Sequence, residues 1–146
     1  MDVGLTHVAL PARDLDASVA FYAKYARMEV VHRRSDPSGA DVVWLSDRTR
    51  PFVIVLIRQK EVRQTLGPLS HLGVGCATRE EVDRLCAEAR ADGALRLGPV
   101  DSSYPVGYWA FLADPDGHTL ELSHGQEVGL AVERAGGAAS GTQAGG

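Results

Sequence analysis

The chain has 146 residues, a net charge of -4, 23% charged residues and 45% in the hydrophobic set. Two cysteines exclude a disulfide scaffold, and the even spread of apolar residues excludes a chain disordered throughout. No run of about 18 apolar residues exists to span a membrane, no basic stripe suggests nucleic acid, and the N-terminus lacks the pattern of a secretory leader, so a cytoplasmic protein is expected.

In chain order, Leu5 to Pro11 is short, apolar and partly β-branched, a predicted strand. Asp14 to Ala26 carries Leu15, Val19, Tyr22 and Ala26 at helical spacing, with Asp14 or Asp16 as cap. Strands are predicted at Met28 to Arg34, Ala40 to Ser46 and Phe52 to Arg58, the last a nearly continuous apolar run. The same order then returns. Leu69 to Cys76 reads as a strand. Thr78 to Asp92 reads as a helix, with Thr78 and Glu81 as a capping pair and Val82, Leu85, Cys86 and Ala89 as its apolar stripe. Gly93 stands where a helix-ending left-handed residue is wanted. Ala94 to Leu97, Gly107 to Ala113 and His118 to Ser123 are predicted strands, with a Pro-Gly turn at Asp114 to Gly117.

Leu5-Thr6-His7-Val8 matches Leu69-Ser70-His71-Leu72 at an offset of 64. The chain therefore reads as α+β, with two tandem βαβββ modules over residues 1–62 and 66–126. Residues 127–146 are expected to be a flexible Gly/Ala-rich tail. In its last part, from Ala135, five of twelve residues are Gly and none is large and apolar.

The repeat gives two histidines special interest, because it places His7 and His71 at equivalent positions. Singly, each reads more simply as a structural histidine. Glu121, between Leu120 and Leu122 on the last strand, is costly to bury unless paired or bound to a metal, although an alternating strand could also turn it to solvent. Two histidines and a carboxylate make the usual facial metal set, which leaves coordination positions open. At the corresponding place in the first module stand Ile54, Val55 and Leu56, so the set stops at three ligands. Trp44, Trp109, Phe52 and Phe111 could line an apolar pocket or simply fill the core. Cys76 and Cys86 read as small buried apolar residues.

Leu-Thr-His-Val-Ala-Leu at the start, Phe21-Tyr22, Ser70-His71-Leu72 and the stretch from Gly107 to Glu121 (GYWAFLADPDGHTLE) resemble the vicinal oxygen chelate superfamily of glyoxalases, bleomycin-resistance proteins and extradiol dioxygenases. The resemblance covers about residues 3 to 126. It implies a cupped mixed sheet around a central metal and ligand cleft, with His7, His71 and Glu121 on the family's metal positions. It also implies a divalent ion, Fe(II) or Mn(II) ahead of Zn or Ni, a small-molecule substrate with neighbouring oxygens, and a homodimer. The lack of a ligand on the last strand of the first module argues against glyoxalase I, and retention of all three ligands argues against pure sequestration. A dioxygenase-like enzyme is favoured, although Phe111 stands where extradiol enzymes commonly carry Tyr. A bleomycin-resistance-type binding protein and a fosfomycin-type transferase are the alternatives. His124, Tyr104 and Tyr108 are the expected acid-base residues, with His118 a further candidate.

Overall fold

The computed structural model describes residues 1–35, 37–38 and 41–140. Ala40, at the head of one expected strand, lies outside the described residues. The first module holds β1 (His7–Ala12), α1 (Leu15–Ala26), β2 (Glu29–Arg34), β3 (Val42–Ser46) and β4 (Val53–Arg58). The second holds β5 (Leu72–Gly75), α2 (Arg79–Ala91), β6 (Leu95–Asp101), β7 (Tyr108–Ala113) and β8 (Thr119–His124). Each module folds its strands into one four-stranded mixed sheet, in the orders β1-β4-β3-β2 and β5-β8-β7-β6. In both, the first and last strands pair in parallel and the hairpins pair antiparallel. The expected α+β architecture of two βαβββ modules is the one observed.

Local chemistry accounts for the helix ends. Asp14 caps α1, its carboxylate accepting from the Ala17 amide at 3.0 Å. Thr78 caps α2 by accepting from the Glu81 amide at 3.1 Å, and the Glu81 carboxylate reaches back to the Ala77 amide at 2.8 Å. Each such cap stabilises its helix by about 1 kcal/mol. The stripe Val82, Leu85, Cys86 and Ala89 is buried as its spacing predicts. In α1 the buried face includes Ser18, Phe21 and Tyr25 beside Leu15, Tyr22 and Ala26, while Val19 is only half-buried.

Both sheets turn one face to a common core. Leu10, Leu45, Ile54 and Leu56 from the first join Leu112, Leu120 and Leu122 from the second in one buried cluster with the helices. Polar links cross the same junction. The Tyr22 hydroxyl donates to Asp114 at 2.9 Å, Tyr25 donates to Asp92 at 2.5 Å, and Arg13 pairs with Asp116 at 2.9 Å. His118, 1% exposed, uses both ring nitrogens there. Its Nδ1 accepts from the Leu66 amide at 3.1 Å, and its Nε2 donates to the Pro11 carbonyl at 2.8 Å. It thus holds the inter-module connection against the first strand, which removes it from the acid-base candidates.

Three elements differ from the sequence reading. β5 begins at Leu72, because the Ser70 amide bonds back to the Gly67 carbonyl at 2.8 Å and closes a turn. β6 runs on to Asp101. Where a flexible tail was expected, a helix, α3 (Val128–Ser140), follows β8, and its described side chains are exposed. Four of its thirteen residues are alanine, the strongest helix former, set against three glycines that disfavour the helix. Residues 141–146 of that tail lie outside the described residues. No helix among the described residues is long and apolar enough to cross a membrane.

Candidate metal centre

β8 runs through the middle of its sheet between β5 and β7, and its register sets Glu121 between Gly73 and Phe111. The carboxylate is 6% exposed. An ionised group so placed needs partners, and two are present. Gln126 donates from Nε2 to Glu121 Oε1 at 2.6 Å. His71 brings Nε2 to 3.1 Å from Glu121 Oε2.

The state of His71 follows from its other nitrogen. Nδ1 lies 2.8 Å from the Pro68 carbonyl oxygen, which can only accept, so Nδ1 carries hydrogen. In the neutral ring Nε2 is then a lone pair facing a carboxylate oxygen. Only a proton or a cation between them makes that approach favourable. Two donors each about 2.1 Å from a divalent ion and at a right angle lie about 3.0 Å apart. The observed 3.1 Å fits two neighbouring positions in one coordination sphere. The backbone-anchored imidazole is also the usual support for a metal-binding histidine.

The third expected ligand is elsewhere. His7 opens β1 opposite Val53, is exposed, and has Nδ1 3.0 Å from the Thr6 hydroxyl. Among the described residues no group of three or more His, Cys, Asp or Glu converges. A single chain therefore brings His71 and Glu121 together and leaves His7 apart.

The expected acid-base residues do not reach the pair. His124 is three residues beyond Glu121 on the same strand, so its side chain takes the opposite face, where Nδ1 donates to the Cys76 carbonyl at 3.1 Å. Tyr108, its cross-strand partner, donates to Asp83 on α2 at 2.5 Å, with the Arg79 guanidinium 4.3 Å from its ring centre. That hydrogen bond to Asp83 holds the Tyr108 phenol above its ordinary range. Tyr104 is 63% exposed in the β6–β7 loop. Both thiols are pushed up by burial, Cys86 to about 11, so neither is a thiolate nucleophile at neutral pH. Gln126 is a neighbour of Glu121 that spacing did not reveal.

The wall beside the pair is apolar. One row of the sheet reads Gly73, Glu121, Phe111, Leu97, and the next Gly75, Ser123, Trp109, Val100; neither holds a basic side chain. Phe111 lies 5.1 Å from the His71 ring and 4.7 Å from Trp109.

Residues 4–122 match the profile of the Glyoxalase/Bleomycin resistance protein/Dioxygenase superfamily. The chain belongs to that superfamily. An uncharacterised protein of Pseudomonas aeruginosa is 39% identical over 136 residues, covering 91% of this chain and 96% of that one. Among solved structures, this superfamily member is similar to the fosfomycin resistance protein FosX of Listeria monocytogenes, complexed with Mn(II) and 1S,2S-dihydroxypropylphosphonic acid. The TM-score is 0.68 at 20% identity, over 90% of this chain and 99% of that one. A possible glyoxalase from Bacillus cereus gives 0.65 at 22%, over 84% and 99%. TnmS3, an antibiotic-binding protein from a Streptomyces species, gives 0.61 at 19%, over 84% and 96%. At these identities the structural likenesses establish the shared fold.

Proposed function

We propose that this superfamily member is a cytoplasmic, divalent-metal-dependent enzyme acting on a small molecule with two neighbouring oxygens. The observation that carries this reading is the His71–Glu121 pair, 3.1 Å apart, with the imidazole anchored through Nδ1. A divalent ion there would supply a Lewis acid and a template for the two substrate oxygens. His71 and Glu121 hold the ion, Phe111 and Trp109 offer a face to an apolar substrate body, and buried β8 keeps water from the carboxylate.

The third ligand is His7 of a second copy. The first sheet supports this pairing, because its outer face carries exposed Trp44 with its ring 4.9 Å from the His32 ring, and half-buried Val53 and Val55 beside it. Apolar area of this kind gains free energy when a second chain covers it. The absence of basic residues in the two rows around Glu121 favours an uncharged or aromatic diol over a phosphonate, which keeps the dioxygenase-like reading ahead of the fosfomycin type. A second reading, antibiotic binding without turnover, draws on the same aromatic faces.

Metal analysis of tag-free protein separates the two. The enzyme reading expects one divalent ion per site and loss of that ion in His71→Ala. Absence of stoichiometric metal, with ligand binding unchanged in His71→Ala, would establish the binding protein instead. Oxygen uptake across a catechol panel then tests ring cleavage, and a flat response throughout removes the dioxygenase-like form.

A further inference from the structure

Glu121 has two oxygens, and a metal site that uses one of them must restrain the other. A free carboxylate turns about its last torsion, a broad and weakly restrained rotation. Here Oε1 is taken by the Gln126 carboxamide at 2.6 Å while Oε2 faces His71. The amide is neutral, so it satisfies a buried oxygen without cancelling the charge that a cation needs.

The backbone shows how Gln126 comes to be there. β8 ends at His124, and Gly125 then adopts φ 89°, a left-handed conformation that side chains disfavour. This reverses the chain and brings residue 126 back beside the strand. Gly107, at φ 82°, lies against the reversal: a Cβ there would sit 2.4 Å from the His124 carbonyl oxygen and 3.2 Å from the Gln126 nitrogen. The β6–β7 loop is itself closed by the Ser102 amide to the Gly107 carbonyl at 3.0 Å and the Gly107 amide to the Ser103 carbonyl at 2.7 Å. Two glycines from different segments thus fix the point from which Gln126 reaches.

We propose that Gln126 is a positioning residue for Glu121, holding Oε1 so that Oε2 alone is presented beside His71 Nε2. This rests on the metal reading above. The test uses tag-free full-length protein, with Mn(II) affinity by calorimetry and the visible spectrum of the Co(II)-loaded form. Gln126→Met keeps length and removes the donor. Its Mn(II) affinity is expected to fall roughly 10–100-fold, as for other outer partners of metal ligands, and its Co(II) bands to shift, at an unchanged thermal midpoint. Gly107→Ala, which pushes the reversal outward, should move both readings the same way. If Gln126→Met lowers the midpoint, Gln126→Asn carries the test, because it keeps the amide but shortens its reach. Affinity within twofold and an unchanged Co(II) spectrum, while Glu121→Ala loses the metal, overturns the role of Gln126 alone. Metal binding that survives Glu121→Ala overturns the metal reading and this inference with it.

Discussion

Where β8 sets Glu121 opposite Gly73, β4 sets Val55 opposite Ala9. The modules share strand order, helix placement and this register, yet one row ends in a carboxylate and the other in an isopropyl group. The histidines that open the rows differ as well: His71 is tied to a backbone carbonyl and faces Glu121, whereas His7 is exposed beside Thr6. The fold therefore repeats a frame, while the facing histidine and carboxylate belong to the second copy of it. On the proposed reading the first module contributes one imidazole and an apolar wall.

The sharpest way to break the asymmetry is Glu121→Ala, which should reduce divalent metal binding below detection in metal analysis of dialysed protein. On the proposed reading, in which His7 of a second copy completes the site, His7→Ala should weaken Mn(II) binding by at least about tenfold in calorimetry, with the fold intact. Equal affinity would show that the first module is not part of the centre.

The converse change sharpens it. Val55→Glu gives the first module the carboxylate it lacks. Without metal the half-buried charge should cost about 1–3 kcal/mol in urea unfolding. Added Mn(II) should then raise the thermal midpoint more in this variant than in the native protein, if the two faces meet. No such gain would mean that Val55 and Glu121 never share an ion.

A smaller effect concerns the junction between the modules. Tyr22→Phe removes the hydrogen bond to buried Asp114 and should cost about 1–2 kcal/mol in the same assay. The tyrosines there also set an alkaline limit. Burial, then Asp114, holds the Tyr22 phenol far above its ordinary value, and burial with the Asp92 hydrogen bond pushes Tyr25 up to about 12. The folded state thus keeps protons that the unfolded chain releases near pH 10. Their contribution is complete below that pH and is lost as pH rises toward the folded values. Urea curves at pH 8 and pH 11 should differ less in a Tyr22→Phe, Tyr25→Phe variant than in the native chain.

Much of this frame was readable from local signals. Thr78, Glu81 and Gly93 announce both ends of α2, and Gly93 does adopt a left-handed φ of 72°. The repeat points to His7 and His71, and the apolar flanks Leu120 and Leu122 point to Glu121. The placement of His124 and Tyr108 away from the pair has a physical reason. Side-chain direction on a strand depends on parity, and β8 continues one residue past the expected Ser123, which carries His124 to the face away from Glu121. Gln126 was hidden because its approach depends on a backbone reversal and on a contact with a distant glycine. For His7 the sequence leaves the pairing open, because repeat symmetry does not say whether the two halves meet within one chain or across two.

The two-sided grip of His118 has one more consequence. With Leu66 on one nitrogen and Pro11 on the other, it pins the connection between the modules to the first strand. On the reading proposed above, with His7 supplied by a second copy, capture of the ion would be second order in protein, and abundance would set how much of it carries metal.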